Sequence, residues 1–125
     1  MDRHYLGIDV GTSGCRACVI DAAACIRAEI SSPLPPPLQI HGGFEQDAEI
    51  WWAALGAVLD RLATQLPLFG VDAIAVDGTS GTLLCCDARG TPLGPALMYN
   101  DARAIEPARR EIGRASCRER VLCVV

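Results

Sequence analysis

Residues 77–81 read D-G-T-S-G, and residues 9–14 carry a near copy, D-V-G-T-S-G. Each closes an apolar run, YLGIDV in the first case and AIAVD in the second. An aspartate at the end of a hydrophobic strand, followed by a hydroxyl-bearing glycine turn, admits two readings. One is a tight hairpin whose glycines supply positive φ angles. The other is a corner that holds phosphates and a metal ion, because backbone N–H groups in such turns cradle anionic oxygens and a hydroxyl beside a carboxylate holds Mg²⁺. The doubling constrains the fold more than either turn alone. With the first strand central and the second parallel to it, both corners fall at one sheet edge, where open α/β sheets bind ligands. Neither turn is a Walker loop, since G-x-x-x-x-G-K-[ST] is absent. Neither is a Rossmann fingerprint, since the glycines precede a strand rather than a helix.

The rest of the pattern supplies the scaffold. Residues 5–10, 16–21 and 25–31 read as three strands joined by short turns, an antiparallel meander. The proline-rich stretch SSPLPPPLQIHGG is expected to interrupt regular structure as a semi-rigid, extended loop. Asp47 is a good N-cap and Glu49 suits a first helical turn. Trp51, Leu55, Val58, Leu59, Leu62 and Leu66 then recur at helical spacing, and Pro67 and Gly70 end the helix. Trp51 and Trp52 are assigned to packing against the sheet rather than to a ligand. Residues 73–77 read as a strand buried on both faces, parallel to the first through the preceding helix. Residues 83–87 form another strand, Arg89-Gly90 a turn, and residues 95–99 a last extended piece. The order is βββαβ plus a hairpin, an α/β layered domain.

Composition narrows the class. A length of 125 residues suits one modest domain, and an apolar half excludes a disordered chain. The net charge is −4, and every basic residue is arginine, which argues against a nucleic-acid surface. No apolar run approaches the roughly 18 residues of a membrane span. The N-terminus lacks the apolar stretch and cleavage site of a signal peptide, so a cytoplasmic location is expected. Cys15 and Cys18 form a C-x-x-C, but no second pair or paired histidine follows, and strand positions three apart face opposite sides. Cys25, Cys85 and Cys86 lie in apolar runs. Small buried thiols in a reducing compartment are expected.

Four blocks, GIDVGTSGCRACVID, FEQDAEIWW, AVDGTSGTLLCCDARGTPLGP and LMYNDARA, together resemble the N-terminal domain of the FGGY family of carbohydrate kinases. The resemblance runs from about residue 5 to residue 110, and the second corner is more similar to ribulokinase and xylulokinase-like members than to glycerol kinases. It implies an actin-like, ribonuclease-H-like fold and Mg-ATP-dependent transfer of a phosphoryl group to a sugar hydroxyl. Asp9 then matches the metal-organising aspartate, and Gly11, Thr12 and Ser13 match the first phosphate-binding turn. Phosphoryl transfer needs charged groups positioned and neutralised more than it needs covalent chemistry, which suits such a corner. Thr79 and Ser80 occupy the corner that contacts the sugar, with Asp77 holding that turn or reaching the sugar. Asn100, Asp101 and Arg103 match a polar motif near the same pocket; for Arg103, a structural salt bridge and a ligand contact both remain open. Residues 45–47 are read mainly as the helix start and its cap. The implied partners are a small carbohydrate and ATP, with no nucleic acid and no membrane.

No residue matches the family's general base, which a sugar hydroxyl needs within hydrogen-bond reach. Residues 1–111 therefore read as a partial kinase domain, inactive alone. Residues 112–125 differ in character: they carry a net charge of +2 against −6 for residues 1–111. IGRASCRERV resembles one reading frame of a sequencing-library adapter, so this tail is expected to be non-native. A non-catalytic actin-like module that binds a nucleotide or sugar is the competing function. The polar motif at residues 100–103 favours the kinase, since a pure nucleotide switch needs no sugar pocket.

Overall fold

The computed structural model describes residues 3–112, which divide into two units. The first contains residues up to 36 and residues 47–79; the second contains residues 37–46 and those from 80 onward.

The first unit is a four-stranded sheet with one helix on it. Strands β1 (His4–Val10), β2 (Gly14–Asp21) and β3 (Ile26–Pro33) form the expected antiparallel meander. A later strand, β6 (Val71–Gly78), pairs parallel with β1, giving the order β3-β2-β1-β6. Helix α1 (Ala48–Gln65) supplies the crossover that a parallel pair requires. Its N-cap is Asp47, whose Oδ1 accepts from the Glu49 N–H at 3.0 Å. Ala54, Val58 and Leu62 form its buried stripe at four-residue spacing, and they meet Cys15, Ala17 and Val19 of β2 and Ala28 and Ile30 of β3 in one core. Pro67 lacks the N–H that would continue the helix, and a short 3-10 turn at Leu68–Gly70 follows.

This placement overturns one expectation. The apolar run AIAVD is not buried on both faces: β6 is the edge strand, with Ile74 and Val76 63% and 71% exposed. The reason is where the helix lies. α1 packs mainly over β2 and β3 and leaves the middle of β6 uncovered. Trp51 packs beside the core as expected, but Trp52 is 74% exposed. Among the described cysteines, only Cys15 is fully buried; Cys18 is half-buried, and Cys25, Cys85 and Cys86 are exposed, contrary to their apolar neighbourhoods.

The second unit holds a small antiparallel sheet in the order β4-β5-β7, from β4 (Leu38–Ile40), β5 (Gly43–Gln46) and β7 (Ala96–Leu97). The proline-rich segment thus ends in a hairpin rather than a plain loop. His41 and Gly42 both have positive φ, +48° and +81°, as a two-residue type I′ turn between strands demands. Residues 83–87 do not form a strand. Only isolated bridges remain, Leu83 to Leu97 and Cys86 to Pro92, because the Asp87 carboxylate folds the chain back by accepting from the Arg89 and Thr91 N–H groups. Helix α2 (Ile105–Ile112) follows, with Pro107 in its first turn, where its missing N–H costs no bond. Residues 113–125, which include most of the tail expected to be non-native, lie outside the described residues.

Candidate functional site

In the first unit, β1 and β6 run parallel and end at the same sheet edge. Asp9 is the register partner of Asp77, and Val10 that of Gly78. On the other side of β1, the antiparallel register sets Arg16 opposite Asp9. Register partners project to one face of a sheet, so Arg16, Asp9 and Asp77 form a row across three strands. Their neighbours Ile8 and Ala17 face the core under α1, which puts the charged row on the opposite face. Two carboxylates side by side repel, and one cation offsets this: Arg16 Nη1 donates to Asp9 Oδ2 at 2.8 Å. Both side chains are about half exposed, so the pair contributes little to stability, about 1 kcal/mol or less. Asp9 remains reachable from solvent.

Beyond the row lie the two turns. The first is closed by the Gly11 N–H donating to the Gly14 carbonyl at 3.0 Å, and the Ser13 carbonyl accepts from the Leu34 N–H at 2.9 Å. In the second, Asp77 Oδ1 accepts from the Gly78 N–H at 2.8 Å, and the Thr79 N–H donates to the Val10 carbonyl at 3.4 Å. The Thr12 and Thr79 hydroxyls share a hydrogen bond at 3.1 Å. Asp9, Thr12, Asp77 and Thr79 are therefore gathered at one edge, as the doubled motif anticipates.

Ser80, Asn100, Asp101 and Arg103 belong to the second unit. There the Asp101 N–H closes a turn onto the Met98 carbonyl at 2.9 Å. The Asp101 carboxylate accepts from the Phe44 N–H at 3.1 Å, from the Arg103 N–H at 3.0 Å, and from Arg103 Nε and Nη2. Arg103 Nη1 pairs with Glu45 Oε1 at 2.7 Å. These contacts, led by the bonds from Arg103, hold the Asp101 carboxyl far below the usual carboxylate range. The bonds to Asp101 and then Glu45 raise the Arg103 guanidinium further above its usual value, so the group is charged at every ordinary pH. Asn100 is exposed, and its amide has no hydrogen-bond partner among the described residues.

Sequence reasoning gave Glu45 to the helix start; the structure gives it to Arg103. Asp47 alone does the capping. The available signal was an acid and an arginine in separate polar motifs, which no local periodicity connects. Thr82 was also missed. Its hydroxyl is buried without a partner among the described residues, immediately after the second turn.

Among the described residues no cluster of three or more His, Cys, Asp or Glu could cage a metal ion. Mg²⁺ does not need one: it is commonly held by one or two carboxylates, substrate phosphates and water. The solvent-reachable Asp9, register partner of Asp77, fits that requirement. A cavity of about 230 Å³ lined by Arg3, His4, Asp21 and Arg27 lies at the other end of β1, away from this corner.

Residues 4–120 match the family model described as the FGGY family of carbohydrate kinases, N-terminal domain. A xylulose kinase of Streptomyces coelicolor is 36% identical over 107 residues, covering 86% of this chain and 22% of that protein. Two solved structures superimpose closely. A protein described as a xyloylose kinase from Brucella ovis gives a TM-score of 0.80 at 28% identity, over 88% of this chain and 24% of the other. The xylulose kinase of Rhodospirillum rubrum gives 0.79 at 25% identity, over 91% and 24%. The chain thus spans about a fifth of the length of the first curated relatives it matches.

Proposed function

The chain belongs to the FGGY family of carbohydrate kinases and has the partial N-terminal domain of its actin-like fold, and from this we propose that it is part of an ATP-dependent kinase that phosphorylates a hydroxyl of a ketopentose or related carbohydrate. The observation that carries the proposal is the sheet edge where Asp9 and Asp77 stand in register beside the Thr12–Thr79 hydroxyl pair. Asp9 would organise Mg²⁺, and in the Gly11-Thr12-Ser13 turn the Thr12 and Ser13 N–H groups and hydroxyls would receive phosphate oxygens, with the Gly11 N–H closing the turn onto the Gly14 carbonyl. When bound, Mg-ATP supplies the transferable phosphoryl group and neutralises its developing charge. Asp77, Thr79 and Ser80, with the motif at residues 100–103, are assigned to the sugar. The printed names of the relatives, xylulose kinases above all, support a pentulose as acceptor. A cytoplasmic location follows from that chemistry, since ATP and free pentuloses meet there.

The 125-residue chain alone should be inactive, because none of its residues matches the base that deprotonates the sugar hydroxyl. Incubation with Mg-ATP and a panel of pentuloses should yield no sugar phosphate from this chain, and sugar phosphate from the longer protein that contains it. Turnover by the purified chain would overturn the first claim; a longer protein inert toward every pentulose and polyol would overturn the second. We also propose that residues 112–125 are foreign to the gene, on their reversed charge and adapter-like sequence, although the family match reaches residue 120. Independent reads of the same locus decide this: a genomic clone that reproduces IGRASCRERV would refute it.

A further inference from the structure

We propose that Gly43 and Glu45 seat Arg103 as a positioning residue, so that Asn100, and not Arg103, is the polar group of residues 100–103 offered to the sugar. This rests on the kinase reading above for the identity of the ligand, but its geometric basis does not.

The first observation is occupancy. Arg103 Nε and Nη2 donate to Asp101, and Nη1 pairs with Glu45 at 2.7 Å. A guanidinium engaged on both edges of its fork presents little to a further ligand. The second is the seat. A Cβ built on Gly43 would fall well inside contact distance of Arg103 Nε and Cζ and of Asp101 Oδ2. Gly43 directly follows the His41-Gly42 turn and pairs with Ile40, so the turn itself does not require it to be glycine. The close approach of the guanidinium does. The third is what the clamp holds. Asp101 also fixes the Phe44 N–H, and the Met98 N–H donates to the Phe44 carbonyl at 2.9 Å. The turn from Met98 to Asp101 is therefore pinned to β5 from both ends, with Asn100 at its exposed part and its amide unpartnered among the described residues. Charge does not disturb this arrangement at ordinary pH, because both Asp101 and Arg103 stay ionised.

Gly43→Ala is a selective probe. It changes no charge, and the atoms it displaces lie mainly at the end of a flexible arginine, which can swing outward without unfolding the chain. In the 125-residue chain, the Arg103 Nε–H resonance should be distinct and slow to exchange with solvent. Gly43→Ala should move it toward a free arginine signal, Glu45→Gln should shift it less because Nε keeps its bond to Asp101, and Asn100→Ala should leave it in place. In the longer protein, Gly43→Ala, Arg103→Lys and Asn100→Ala should each raise the pentulose KM about tenfold with kcat changed far less, the loss of one hydrogen bond. Lysine cannot substitute because it lacks the two-edged fork. A Gly43→Ala chain with an unchanged Arg103 signal would overturn the seat. A displaced signal with an unchanged KM would overturn the positioning role, and an Asn100→Ala protein with normal KM would overturn the assignment of the sugar-facing group. If the unsubstituted longer protein phosphorylates no sugar, the kinase reading falls, while the Arg103 signal still decides the clamp.

Discussion

The two glycine turns share the sequence Gly-Thr-Ser-Gly and sit side by side, yet their surroundings differ. The first is tied on both sides. It joins two paired strands, its Gly11 N–H donates to the Gly14 carbonyl, its Ser13 carbonyl accepts from the Leu34 N–H, and its aspartate is balanced by Arg16. The second hangs from an edge strand, and its aspartate caps its own turn by accepting from Gly78. Identical residue types therefore have different tasks available. A turn fixed on two sides and backed by a cation is pre-organised to receive phosphates. A turn with fewer such ties is suited to a different ligand. The shared Thr12–Thr79 hydrogen bond ties the two together.

Substitutions that treat the two turns alike should expose this difference. The largest effect belongs to Asp9→Asn in the longer kinase. The amide keeps the shape but removes the charge that organises Mg²⁺ beside the transferring phosphate, so kcat should fall on the order of a thousandfold with an unaltered melting curve. Asp77→Asn should cost much less, and equal losses would erase the distinction between the corners. Ser80→Ala comes next: KM for the sugar should rise about tenfold while kcat changes little, since the lost bond serves ground and transition states alike. Smaller still is the hydroxyl pair. Thr12→Val and Thr79→Val should each cost about 1 kcal/mol in a denaturant melt, and the double variant should cost less than the sum of the two, since both remove the same bond.

The smallest expected effect is a null response to mild acid. The Asp101 carboxyl is lowered by folding, so its contribution to stability is complete above the unfolded carboxylate range near about 4 and is lost only as pH falls through the depressed folded value. The Arg103 Nε–H signal should therefore be unchanged between about pH 7 and 5. Loss of that signal in this window would mean that Asp101 is not so strongly held.

Local chemistry made much of this legible in the sequence. Apolar runs joined by short turns marked β1 to β3, and the Asp47 cap with the helical spacing of Trp51, Leu55, Val58, Leu59, Leu62 and Leu66 marked α1, because each signal lies within a few residues. The gathering of Asp9 and Asp77 followed from one topological step, the parallel pairing across α1. What was hidden depends on distant chain. AIAVD reads the same whether or not a helix covers it, and only the position of α1 over β2 and β3 leaves Ile74 and Val76 exposed. The Glu45–Arg103 pair joins residues from opposite ends of the second unit, and no periodicity announces it.

The central claim is that Asp9, at the first corner, is the carboxylate that couples the metal to the nucleotide phosphates. Calorimetric titration of ADP into the longer protein, with and without Mg²⁺, addresses it directly and needs no sugar. Wild type and Asp77→Asn should both bind ADP more tightly when Mg²⁺ is present. Asp9→Asn should bind with an affinity that Mg²⁺ no longer improves. An Asp9→Asn protein whose ADP affinity responds to Mg²⁺ as the wild type does would contradict the account, and would leave the first corner a structural hairpin.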